Sequence, residues 1–274
     1  MKPVFQVEQI NLERHEAKYI VPASQLPEIR EFIEPFCAPD PNAKGDIPEY
    51  TLPTLQLDSD DLALYRAWQD NAINRFKLRI RSYEGGDEGS SVFIEVKRKI
   101  KGVVVKTRCM IPRDFICGEL FSGDRRTTPP FRSHRELVNF VEFSRLVDLL
   151  GARPVALIRY IRESYLGRND LYARVTFDRK LQYCLTRNWD LQPKNVRWRS
   201  MDTGMNFDRT FSGHVLELKT YRDTPQWMVD MTERFDLVRC GFCKYATALR
   251  MESLYKGPTH PDEWESCTYN TVGI

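Results

Sequence analysis

The chain has 274 residues, 42% hydrophobic and 29% charged, and its 41 Lys and Arg stand against 38 Asp and Glu for a formal net charge of +3. A domain of this length buries roughly 70–75% of its unfolded surface, which excludes a mini-protein held by disulfide or metal staples. The near-zero charge argues against a nucleic-acid coat, and no apolar run reaches the ~18 residues that span a bilayer.

The first residues, MKPVFQVEQINLERHE, lack the basic-then-apolar order of a leader. With seven scattered cysteines, the expectation is a cytoplasmic protein with reduced thiols, no membrane segment and no nucleic-acid partner. No repeat or low-complexity segment divides the chain. One domain over residues 1–256 is expected, followed by a frayed tail over 257–274 that carries Pro258 and Pro261.

In chain order, residues 14–21 read as a strand, and Pro22-Ala23-Ser24 introduces an amphipathic helix with Leu26, Ile29, Ile33 and Phe36 on one side. Residues 50–58 read as one strand, after which Ser59-Asp60-Asp61 caps a helix through Leu62, Leu64, Tyr65 and Trp68. Residues 74–83, 91–100 and 103–109 then alternate charged and apolar at every second position, the mark of strands with two unlike faces. Lys101-Gly102 forms a hairpin turn between the second and third, and a Gly-rich loop over 85–89 joins the first and second. A helix from Ser133, apolar at Leu137, Phe140, Val141, Phe143, Leu146 and Leu149, precedes strands over 155–166, 171–177, 181–186 and 214–221. Helices over 224–235 and 244–255 close the fold.

The alternation sorts the charges. Arg75, Lys77, Arg79 and Arg81 share a face of the first of these strands; Glu95, Lys97 and Lys99 share one on the second; Lys106 and Arg108 repeat it on the third. Arg174, Thr176 and Asp178, then Glu217 and Lys219, continue the pattern. One reading is a sheet with its polar face in water. The other rests on composition, because these faces hold Arg and Lys where a solvated face would admit Ser, Thr, Gln and Asn. A sheet curled with that face inward makes a wet, basic lumen fit for a polyanion.

The blocks RHEAKY (14–19), LDSDDLALY (57–65), RFKLRIRSY (75–83), FIEVKRKIKGVVVKTR (93–108), YIRESY (160–165), ARVTFD (173–178), LELKT (216–220) and CKYATAL (243–249) resemble, in order, the VTC domain. That domain is the polyphosphate-polymerase branch of the triphosphate tunnel metalloenzymes. The resemblance implies an α+β fold: an antiparallel β-barrel tunnel of about eight strands with flanking helices. It implies transfer of the γ-phosphoryl group of ATP to a growing inorganic polyphosphate chain or pyrophosphate, with Mn²⁺ or Mg²⁺. By position, Lys18, Arg79, Arg81, Lys97, Lys106, Arg162, Arg174 and Lys244 become phosphate ligands, and Lys77, Lys99, Arg108 and Lys219 further candidates on the same faces. Glu217 becomes the main metal ligand, and Glu16 is either a second one or an ion-pair partner of a tunnel cation. Glu95 is expected to orient Lys97 and Lys99.

Two positions depart from the superfamily pattern. Arg14 replaces the first Glu of Glu-x-Glu-x-Lys, favouring the polymerase branch over the triphosphatases, and Gln56-Leu57-Asp58-Ser59 replaces Tyr-Phe-Asp-Thr, leaving Asp58 a capping role. The phosphate-sensing and membrane segments of eukaryotic relatives have no counterpart in these 274 residues, so coupling to translocation would need a separate membrane partner. A tunnel triphosphatase and a non-catalytic polyphosphate-binding module remain alternatives. Cys240-Gly241-Phe242-Cys243 has redox-motif spacing but is expected to be structural, His15 beside Glu16 reads as packed or exposed rather than catalytic, and His134 and His214 lack partners at ligand spacing. No Walker or Rossmann phosphate loop is present.

Overall fold

Prolines and positive-φ turns set many of the element boundaries in the computed structural model, which describes residues 15–256 except 44, 85–90, 102, 124–126, 171, 208 and 222. Strand β1 (His15–Pro22) ends at Pro22, and helix α1 (Leu26–Ile33) starts with a proline in its first turn and buries Leu26, Ile29 and Ile33. Phe36 lies beyond the helix and stacks on Trp227 at 5.2 Å. Strand β2 spans Cys37–Pro39.

The single strand expected over residues 50–58 is two, β3 (Glu49–Thr51) and β4 (Thr54–Asp58). Pro53 has no N–H to donate to the ladder, although its carbonyl still accepts from the Ser82 amide at 3.1 Å. Helix α2 (Ala63–Gln69) is held chiefly by Asp58. Asp58 Oδ1 accepts from the Leu64 amide and Oδ2 from the Tyr65 amide, both at 2.9 Å, and Ser59 Oγ accepts from Ala63 at 3.0 Å. Of the expected Ser59-Asp60-Asp61 cap, Ser59 takes part directly and Asp58 has its expected capping role, whereas Asp60 pairs with Arg153 and Arg187. Tyr245 Oη also donates to Asp58 Oδ2, at 2.7 Å, across 187 residues. Tyr245→Phe should therefore lower stability by about 1–2 kcal/mol through loss of one buried bond to a charged acceptor, read as a fall in the urea midpoint at unchanged m-value.

Strands β5 (Asn74–Arg81), β6 (Ser91–Ile100) and β7 (Val103–Pro112) form the antiparallel meander read from their alternation. Register runs from Arg81↔Phe93 to Asn74↔Ile100, and from Ser91↔Pro112 to Ile100↔Val103. The expected Gly-rich loop and Gly102 lie outside the described residues. Helix α3 (His134–Leu150) begins where Ser133 Oγ accepts from the Glu136 amide and ends at Gly151, whose φ of 56° suits glycine. Phe140, Phe143, Leu146 and Val147 are its buried stripe, while Leu137, Val141 and Leu149 are exposed.

Strand β8 (Arg153–Gly167) and β9 (Arg174–Leu185) follow. β9 is continuous where two strands were expected, because Lys180 at φ 49° and a register shift at Arg159/Ile161 absorb the irregularity without breaking the ladder. Strand β10 (Arg199–Ser200), helix α4 (Gly204–Phe207), strand β11 (Gly213–Thr220), helix α5 (Gln226–Arg234) and helix α6 (Lys244–Lys256) complete the described chain. The expected tail over 257–274 lies outside it. Among the described residues no helix is long and apolar enough to cross a membrane.

All eleven strands belong to one antiparallel sheet, whose main path of eight runs β1-β11-β9-β8-β4-β5-β6-β7; β2 and β3 add to β8, and β10 to β9. No ladder joins β7 to β1 among the described residues; the Lys97–Glu16 ion pair spans from β6 to β1 instead. The apolar faces point outward under the helices. Leu78, Ile80, Ile94 and Val96 pack beneath Phe140 and Phe143, and Val175, Phe177 and Leu216 pack with Ile29, Met228 and Met231. Each such side chain removed from water contributes about 1.5–3 kcal/mol, so burial fixes which face is left for the lumen.

Candidate active site, a cation-lined lumen

With the apolar residues turned out, the charged ones on the opposite parity turn in and line one cavity of about 190 Å³. The meander contributes Lys77, Arg79, Arg81, Lys97, Lys106 and Arg108; Lys18 and Glu16 enter from β1, Arg162 from β8, Arg174 from β9, Glu217 and Lys219 from β11, and Lys244 from α6. Lys99 does not belong: it shares the parity of Lys97 but is exposed at the end of β6 and does not line the cavity. Asp178 stands just behind the wall, fully buried. The charge-based reading missed Tyr50, Thr54, Gln56, Tyr160, Ser164 and Cys243, which also line the lumen. Arg162 was expected from the resemblance alone; counting every second residue from it along β8 reaches Tyr160 and Ser164.

Two carboxylate hubs organise the cations. On β8, Arg162 donates to Asp178 through Nε at 2.7 Å and Nη2 at 2.8 Å, and Nη2 reaches Glu217 Oε2 at 3.3 Å. Lys244 Nζ donates to Asp178 Oδ2 at 2.6 Å and lies 4.4 Å from the Tyr160 ring centre. Lys219 Nζ is 3.0 Å from Glu217 Oε2 and Lys18 Nζ 3.8 Å from Oε1. Burial raises the Asp178 carboxyl, but Arg162 and Lys244 outweigh it and bring the pKa down to about 2. Burial likewise opposes ionisation of Glu217, and Lys219, Lys18, Arg162 and Lys97 overcome it and hold the carboxyl well below its usual range.

The second hub is Glu95, which pairs with Arg79 on β5 at 2.7 Å and with Lys106 on β7. This corrects the expected partners Lys97 and Lys99, because register places Arg79 beside Glu95 across the β5–β6 ladder. Lys97 donates to Glu16 at 2.9 and 2.6 Å, so Glu16 is an ion-pair partner in this structure. Arg81 donates to Thr54 Oγ1 at 3.2 Å and Tyr160 Oη at 3.1 Å. Lys77, Arg81, Arg108 and Arg174 form no ion pair with a carboxylate among the described residues.

Residues 239–245 cross from strand to strand at the base of the lumen. The Cys240 amide donates to the Lys18 carbonyl at 2.8 Å, Lys18 Nζ to the Phe242 carbonyl at 2.8 Å, and Lys77 Nζ to Cys243 Sγ at 2.7 Å. Burial raises the Cys243 thiol, but Lys77 and the Ala246 amide outweigh it and lower its pKa. Cys240 and Cys243 are both free thiols.

Burial pushes the Lys106 ammonium down to about 7; Glu95 opposes the shift, and Arg79 and Arg81 add to it. Bound phosphate would raise that pKa again, so binding takes up a proton. Affinity for tripolyphosphate is expected to fall by up to about tenfold per pH unit above about pH 7.5, and Lys106→Arg should make that slope shallower. Calorimetry in two buffers of different ionisation heat reads the proton uptake; an unchanged slope in the variant would contradict it.

Glu16 and Glu217 offer oxygen donors on adjacent strands, since register sets Lys18 opposite Glu217 and Glu16 opposite Lys219. No group of three or more His, Cys, Asp or Glu able to hold a metal occurs among the described residues. Such a pair fits Mg²⁺ or Mn²⁺ held by one or two carboxylates and completed by substrate phosphates and water, rather than a closed protein cage.

The described residues form an antiparallel sheet curled around a lumen lined by eleven cations and two carboxylates. The family model of the VTC domain matches residues 13–253, and the chain belongs to that family. Among solved structures it is similar to the PH1819 protein from Pyrococcus horikoshii OT3, at 9% identity over 89% of this chain and 99% of that one, with a TM-score of 0.43. It is also similar to HpAC1 from Hippeastrum, described as a putative adenylyl cyclase that reveals a dominant triphosphatase activity, at 14% identity over 93% of this chain and 100% of that one, TM-score 0.42. No curated protein matches the sequence.

Proposed function

We propose that the chain is an ATP-dependent polyphosphate polymerase, which binds the phosphates of ATP in the lumen and transfers the γ-phosphoryl group to the terminal phosphate of inorganic polyphosphate or pyrophosphate. The charge count carries this reading. Eleven cations line the lumen, against Glu16 and Glu217 in it and Glu95 and Asp178 bonded to its cations. A nucleoside triphosphate carries about four negative charges, about two of them on its terminal phosphate, so the surplus also accommodates a second polyanion. A hydrolase whose acceptor is water has no need of that excess.

In the transfer, an anionic terminal oxygen of the acceptor forms the new bond to the γ-phosphorus, the bond from that phosphorus to the β–γ bridging oxygen breaks, and ADP leaves with the electron pair. The nucleophile is already deprotonated, so no general base is required. Arg162, Lys244 and Lys18 hold the phosphate oxygens in place of their present carboxylate partners, and Arg79, Arg81 and Lys106 neutralise charge along the chain. Glu217 and Glu16 would hold the divalent cation, Mn²⁺ or Mg²⁺, which supplies charge neutralisation at the transferring group.

The test is incubation of the purified protein with ATP and each metal, with products resolved by gel for long-chain polyphosphate and free phosphate assayed in parallel. Metal-dependent chains support the polymerase. Free phosphate without chains points to a triphosphatase, and neither product to a binding module.

A further inference from the structure

We propose that a second cavity, opening beside the lumen at Tyr83, is a nucleoside subsite that takes a purine base. This rests on the nucleotide reading above and extends it from the phosphates to the rest of the substrate. The cavity measures about 420 Å³, and its walls include Tyr83, Glu84, Arg113, Arg159, Gln192 and Trp198. Tyr83 also lines the lumen, so the two spaces share one ring. Tyr83 follows Arg81 by two residues, which places the cavity next to the last phosphate-facing guanidinium of β5.

The chemistry of the walls changes at that ring. Among the charged residues of the lumen eleven cations face two carboxylates, whereas the second cavity sets two arginines beside Glu84, Gln192 and the Trp198 ring. Arg159 lies with its guanidinium carbon 4.3 Å from the Trp198 ring centre, and its Nη2 donates to Gln182 Oε1 at 2.8 Å. That bond fixes the plane of a stacked pair able to receive a base, as Arg and aromatic faces do in nucleotide recognition. Tyr83 itself is held by Tyr50 and Phe93, with ring centres 5.4 and 5.5 Å away.

The polar groups are incompletely satisfied. Arg113 Nη1 donates to Gln192 Oε1, but Arg113 Nε and Nη2 are buried and have no hydrogen-bond partner among the described residues. Buried donors left unmatched are costly, and the ring nitrogens of a purine are acceptors that would meet them. The Gln192 amide reaches Glu84 Oε1 only at 3.4 Å, leaving the Glu84 carboxylate able to accept from an exocyclic amine. Flat walls, unmatched donors and a carboxylate acceptor together suit a purine better than another phosphate.

Trp198 is a built-in reporter. ATP titrated into the full chain is expected to quench tryptophan fluorescence, tripolyphosphate is not, and Trp198→Phe should remove the ATP signal. Arg113→Gln, which spares the stacked pair, should weaken ATP about tenfold with tripolyphosphate affinity unchanged. Equal quenching by the two ligands, or equal weakening of both in Arg113→Gln, overturns the nucleoside subsite while leaving the phosphate-binding lumen intact. Failure of both ligands to bind the wild-type chain overturns the lumen reading and this inference with it.

Discussion

Replacing Glu217 with glutamine is expected to lower metal-dependent phosphoryl transfer by about two to three orders of magnitude while tripolyphosphate binds at least as tightly as before. Glu217 is the carboxylate shared by Lys18, Arg162 and Lys219. Without its charge, three partly or fully buried cations lose a counterion, and a polyanion becomes their best available partner. The ligand-free variant should be less stable by about 3–5 kcal/mol, the usual cost of removing one member of a buried ion-pair network. Tripolyphosphate should then raise the melting temperature of Glu217→Gln more than that of the wild type. Unchanged turnover would reduce Glu217 to a structural counterion, and lost tripolyphosphate binding would mean that the lumen collapses without it.

Arg162→Ala should be the most destabilising cation loss in the lumen, because it takes the bidentate partner from fully buried Asp178 and leaves Lys244 alone beside it. About 3–5 kcal/mol at neutral pH is expected, measured by urea unfolding. Its pH dependence is diagnostic. In the wild type the Asp178 pKa of about 2 lies below its ordinary value, so the stability it contributes is complete above about pH 4 and is lost as pH falls towards 2. Without Arg162 the buried carboxyl titrates higher, and neutralising it relieves part of the penalty. The gap between variant and wild type should therefore narrow between about pH 7 and pH 4. Arg162→Lys keeps the charge but not the two parallel bonds, and should recover only part of the loss.

The legible part of this molecule was its alternation. Strands β5, β6 and β7 could be read residue by residue, because covering one face with α3 forces a strict period of two, and that period then sorted Arg79, Lys97 and Lys106 onto the other. The same rule overreached at Lys99, since periodicity says which side a residue faces but not where the strand leaves the lumen. Partners were less visible than faces. Glu95 bonds Arg79, its register partner on β5, and Lys106, diagonally across on β7, rather than its own strand neighbours. Neutral lumen residues such as Thr54, Gln56 and Tyr160 carry no charge signal, and the break at Pro53 was obscured because both flanking segments pair with β8. The order of blocks resembling the VTC domain made the fold class readable where the spacing of single residues left a solvated sheet open.

The order of strands has a consequence for how the protein is made. β1 pairs with β11, joining residues 15–22 to 213–220, and the segment 239–245 then ties β1 to β5 and β9. Lys18 and Lys244, which serve neighbouring carboxylates in the finished lumen, leave the ribosome 226 residues apart. Until β11 has emerged β1 has no partner strand, and until α6 follows the basic face lacks Lys244, next to the polyanionic RNA of the machine that makes the chain. Addition of β1 to β11 is thus the most non-local strand pairing along the sheet's main path, and slow folding follows from that topology. An N-terminal fragment that stops short of the last helix lacks Lys244 and Tyr245 of the lumen wall.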